Sequence, residues 1–62
     1  MKMLPRSEVK NLLAIDAAFK YSVENIDAVN MMMVLKAHGY SHDLDAAEYA
    51  IWFGEQEMAA QK

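Results

Sequence analysis

At 62 residues the chain has room for one domain and for less scaffold than most enzymes need. It holds no cysteine, which removes disulfide staples and cysteine-based zinc sites. A net charge of −3 argues against a protein built to coat nucleic acid, and an apolar content of 55 % is too high for intrinsic disorder.

Residues 1–6, with Met1, Met3 and Leu4 the apolar ones, lack the apolar core of a signal peptide and read as a flexible start. Ser7 is the expected N-cap of a first helix over about 8–21, because its hydroxyl can accept from a free first-turn amide. Leu12, Ile15, Phe19 and Val23 recur at steps of three and four and predict one buried stripe. Between Tyr21 and Asn25 a break or kink is expected, with Ser22 or Asn25 as cap; an uninterrupted helix is the alternative. A second helix is expected over about 26–38, closed by Gly39 in a left-handed conformation. Ser41 or Asp43 then caps a third helix over about 43–57, with Asp43, Asp45 and Glu48 near its positive end. Residues 58–62 are expected to fray.

The second helix is apolar on two sides. Ile26, Val29, Met33 and Ala37 form one stripe; Ala28, Met31, Met32 and Leu35 form another. The third helix repeats the problem, with Leu44, Ala47, Ile51 and Met58 on one face and Tyr49, Phe53, Ala46 and Ala50 on another. Chains below roughly 70–80 residues commonly lean on disulfides, a metal or association, and here only association is evident. The expected fold is therefore all-α, a short helical hairpin or three-helix unit assembling as a homodimeric bundle. Met31, Met32, Leu35, Tyr49, Trp52 and Phe53 are the expected self-association interface.

Chemistry-bearing patterns are sparse. His38 and His42 are four apart, but Gly39 lies between them, and Asp43 and Asp45 explain themselves as helix-start charges, so no metal site is assigned. There is no glycine-rich phosphate loop, HExxH run or GxSxG elbow. No catalytic residue, cofactor or small-molecule substrate is assigned. The longest apolar run, Met31–Leu35, is far short of the about 20 residues a bilayer requires, so no membrane association is expected.

Residues 1–39 balance at +1 and residues 40–62 at −4. The segment from Leu35 to Glu57 can be drawn as helix–turn–helix, yet it would present acid to phosphate. DNA binding is the alternative function, resting on the glycine turn and on Lys2, Arg6 and Lys10. The acidic helix better suits a basic protein surface, and Asp43, Asp45, Glu48 and Glu55 form the candidate partner surface. The function expected from the residues is a non-enzymatic interaction protein with a homodimeric state and an unknown protein partner.

Two stretches, residues 5–21 (PRSEVKNLLAIDAAFKY) and residues 45–53 (DAAEYAIWF), resemble the short accessory proteins of the early regions of lambda-like temperate phages. The likeness is one of texture over most of the chain, and it maps no site residues. It implies a regulator in the cytoplasm of a bacterial host, modulating host physiology or phage development.

Overall fold

The computed structural model describes residues 2–61. These form four helices: α1 Arg6–Ile15, α2 Ala17–Glu24, α3 Ala28–Ala37 and α4 Leu44–Ala60. α4 packs against each of the other three, and α2 also contacts α1 and α3. The described residues are all-helical apart from turns and one isolated parallel bridge between Lys2 and Tyr40.

The expected first helix is two. Asp16 leaves the helical region (φ −114°, ψ 102°), and its carboxylate accepts from the amides of Ala18 and Phe19. An aspartate that satisfies these orphan amides can start a helix where no glycine or proline stands. The break redirects the apolar stripe: Leu12, Phe19 and Val23 are buried, while Ile15 is exposed. Ser7 is not the cap. α1 begins two residues earlier, at Arg6, with Pro5 as N-cap and no side-chain cap bond, and proline's lack of an N–H is harmless there.

The second break falls at residues 25–27, later than the expected 21–25, and uses a different cap. Asp27, rather than Ser22 or Asn25, caps α3 by accepting from the Asn30 amide. Ser22 is fully buried. Its Oγ donates to the Ala18 carbonyl at 2.8 Å and accepts from Asn30 Nδ2 at 2.6 Å, tying α2 to α3.

Helices α2 and α3 end alike. At Gly39 (φ 77°) the Tyr40 amide donates to the Leu35 carbonyl and the Gly39 amide to Lys36, the paired bonds of a left-handed helix stop. At Ile26 (φ 51°) the Asp27 amide donates to Ser22 and the Ile26 amide to Val23. The first site has the glycine that geometry favours; the second places a β-branched residue where its Cβ is crowded.

Of the two caps expected for the last helix, Asp43 serves, accepting from the Ala46 amide at 2.8 Å. α4 continues to Ala60, beyond the expected end, so residues 58–60 of the expected frayed tail are helical. Its inward face is made of Ala46, Ala47, Ala50, Ile51 and Gly54. Small residues let three helices approach one. A Cβ at Gly54 would stand 2.9 Å from Val23 Cγ1 and closer still to Cγ2, so α2 crosses α4 against bare backbone.

The start expected to be flexible is tied down over its described residues. The Lys2 carbonyl accepts from the Ser41 amide at 2.7 Å, Lys2 Nζ lies 5.6 Å from the Tyr40 ring centre, and Leu4 is buried. Met1 and Lys62 lie outside the described residues. The accessible surface of 4025 Å² matches the about 4,000 Å² that size scaling gives a folded monomer of this mass. One chain therefore closes a core of ordinary completeness.

Candidate interaction surface

The outer sides of α3 and α4 leave large apolar residues in solvent, and each helix does so for a local reason. On α3, Met31, Val34 and Leu35 are buried. Their spacing of three and four defines the inward stripe. On the opposite side Val29 and Met33 are 70 % and 66 % exposed, with Ala37 also exposed; Ile26, in the left-handed turn before α3, is 68 % exposed. On α4 the inward face is committed to small residues, so the aromatics fall outside it: Tyr49 is 58 % and Trp52 50 % exposed.

The expected self-association set therefore divides. Met31 and Leu35 are fully buried within the single chain and present nothing to a second copy; assigning them to an interface is corrected. Met32 and Phe53 are half-buried and pack against the core. Tyr49 and Trp52 remain on the surface. Both stripes of this helix carry helical spacing, so periodicity alone does not decide which one is buried; Val34, buried together with Met31 and Leu35, stands in neither of the expected stripes.

Trp52 sits between two open clefts on α4. One is lined by Asp45, Glu48, Tyr49 and Trp52. The other runs toward the start of α3, where Ile26 and Ala28 join Glu48, Ile51, Trp52 and Glu55. Asp45, Glu48 and Glu55 are exposed, as the candidate partner surface requires, and no described cation pairs with them. Asp43 is also exposed, but its carboxylate is engaged as the α4 cap. Phe53 holds the aromatic cluster from one side, with ring centres 5.4 Å from Trp52 and 6.1 Å from Tyr49. The Arg6 guanidinium lies over Phe53 at 6.0 Å.

The histidines are engaged separately. His38, at the C-cap of α3, brings Nε2 to within 2.6 Å of Asp16 Oδ2. This contact joins the end of α3 to the start of α2. The bond to His38 holds the Asp16 carboxyl below its ordinary value; the Phe19 and Ala18 amides act the same way, and partial burial opposes them. His42 Nδ1 faces the Tyr40 carbonyl at 3.3 Å. No group of three His, Cys, Asp or Glu side chains among the described residues is arranged to hold a metal ion, and no described helix is long and apolar enough to cross a membrane.

Comparison with protein-family models, with curated proteins and with solved structures gives no match.

Proposed function

We propose that this is a non-enzymatic helical interaction protein whose working surface is the outer side of α3 and α4. The observation that carries the reading is that Val29 and Met33 on α3, and Ile26 in the turn before it, stand exposed on a chain whose core closes without them. Ile26 adds to it. A left-handed non-glycine residue costs about 1–3 kcal/mol, and a side chain 68 % exposed returns little of that inside one chain. A partner that covers Ile26 supplies the missing contact.

A second copy is the proposed occupant of the α3 row. Two-fold pairing, the commonest oligomer symmetry, lays the row against its own equivalent and gives a homodimeric helical bundle. Sedimentation equilibrium tests this. The protein should approach twice its 7.0 kDa mass at micromolar concentration, and Val29→Glu with Met33→Glu should return it to one copy with unchanged helicity. A wild-type chain that stays at one copy throughout removes the dimer.

With the phage likeness the proposal extends to a regulator acting in the bacterial cytoplasm on host physiology or phage development. The second reading, a small DNA-binding protein, draws on the turn at Gly39 between α3 and α4. It ranks lower because the outward face of α4 is acidic, and because Lys2 and Arg6 lie over Tyr40 and Phe53.

A further inference from the structure

We infer that the Trp52 face of α4 docks a cationic amphipathic segment of another protein, with an arginine of that segment seated over Trp52 between Glu48 and Glu55. The inference rests on the interaction reading above and names the partner chemistry of its α4 side.

The face has an apolar part and a charged part. Trp52 and Tyr49 are half or more exposed, and Ile26 extends the apolar ground toward α3. Glu48, Trp52 and Glu55 recur at steps of four and three, so they lie along one line of the helix. Asp45 continues that line toward the N-terminal end. A tryptophan face attracts a cation through its ring quadrupole, and flanking carboxylates add direct charge.

Three observations select a basic occupant. After Lys36 no Lys or Arg occurs until Lys62, so the face has no basic side chain of its own among the described residues. Asp45, Glu48 and Glu55 form no ion pair with any described residue. On the other side of the same aromatic cluster the chain already seats a guanidinium, that of Arg6, over Phe53 at 6.0 Å. Trp52 offers an equivalent ring, and no described cation lies over it. An apolar partner without charge would leave the carboxylates beside a dry contact, which is unfavourable, and an acidic partner would be repelled. Arginine is preferred to lysine because a planar guanidinium stacks on the indole and can meet a carboxylate with two bonds.

Trp52 is the lone tryptophan and reports on its own surroundings. The test titrates the full chain with three synthetic amphipathic helices: leucine with arginine, leucine with lysine, and leucine with glutamate. Trp52 emission is read at low and moderate salt, and amide shifts map the bound face. The arginine helix should bind most tightly, the lysine helix more weakly, and the glutamate helix not at all. Shifts should centre on residues 45–55, and affinity should fall with salt. Glu48→Lys with Glu55→Lys should weaken the arginine helix by about tenfold or more. Lys10→Glu with Lys20→Glu, two exposed lysines elsewhere on the molecule, should not weaken it. Unchanged helicity shows that each variant is folded.

If the glutamate helix binds the Trp52 face as well as the arginine helix does, the face docks protein but the cationic assignment falls. If the arginine helix binds with shifts away from residues 45–55, or with no loss in the Glu48→Lys, Glu55→Lys chain, the assignment also falls. If none of the three perturbs Trp52, the inference falls together with the α4 part of the interaction reading. The α3 dimer is decided independently by sedimentation.

Discussion

Replacing Ile26 with glycine and, separately, with alanine isolates the backbone strain at the end of α2. Both variants remove the same exposed side chain beyond Cβ. Alanine keeps the Cβ that is crowded at φ 51°, whereas glycine removes it. A Cβ in the left-handed region costs about 1–2 kcal/mol, and glycine's extra freedom in the unfolded chain returns about 0.4–1 kcal/mol of that. The glycine variant should therefore be more stable than the alanine variant by about 0.5–1 kcal/mol. In a domain of this size that is a difference of about 4–8 °C in melting temperature. Gln56→Gly against Gln56→Ala, at an exposed position inside α4, is the control for sign: within a helix glycine is the less stable residue by about 0.5–1 kcal/mol. Urea and thermal unfolding followed by circular dichroism measure both. If the alanine variant at position 26 equals or exceeds the glycine variant, Ile26 is not strained, and the argument that its side chain is retained for contact loses its footing.

Gly54→Ala should destabilise by about 1–3 kcal/mol, the range for overpacking, because the new methyl meets Val23 at the α2–α4 crossing; adding Val23→Ala should recover part of that loss, as a double-mutant cycle in urea would show. Asp16→Asn should keep the α2 cap but lose the carboxylate that meets His38 Nε2, lowering stability by about 0.5–1 kcal/mol, the usual worth of a partly exposed polar contact. The folded carboxyl of Asp16 lies below its ordinary 3.8, so its contribution is present above that pH and is lost as pH falls through the folded value. The gap between wild type and Asp16→Asn should therefore close below about pH 4, and a gap that widens there would contradict the assignment.

The parts of the fold legible in the sequence were those with a single local cause. Gly39 was readable because a left-handed helix stop favours one residue type, and Asp43 because an N-cap carboxylate precedes a helix-forming run. Asp16 follows the same capping chemistry, but the apolar spacing of Leu12, Ile15, Phe19 and Val23 continues through it. A period of 3.6 does not distinguish one helix from two that are nearly in phase. Ile26 could not be anticipated, since a β-branched residue is the last choice for its conformation. The surface was harder still. On α4 the apolar residues inside are small and those outside are large, so a reading weighted by size puts Tyr49 and Phe53 in the buried set and undervalues Ala46, Ala50 and Gly54. The acidic residues Asp45, Glu48 and Glu55 were legible as a face because charge in the middle of a helix is solvated unless paired.

The order of folding and association separates two accounts of why copies would meet. If a lone chain had more apolar surface than it could cover, association would complete the core, and dilution would unfold the protein. The closed interior contradicts that account: Phe19, Met31 and Leu35 are fully buried within one chain, and among the described residues no buried side-chain polar atom lacks a partner. Val29 and Met33 then lie outside the folding unit, and the proposed pairing would follow from folding rather than enable it. Dilution through the dimer's dissociation constant should lower the mass without changing the far-ultraviolet signal. Mass action should raise the melting temperature at high concentration only by the stabilisation that binding adds. Val29→Glu with Met33→Glu should melt at one temperature at every concentration, close to that of the dilute wild-type chain, because both side chains are largely solvated in the single copy. Helicity that disappears in step with dissociation would mean that the row belongs to the core after all.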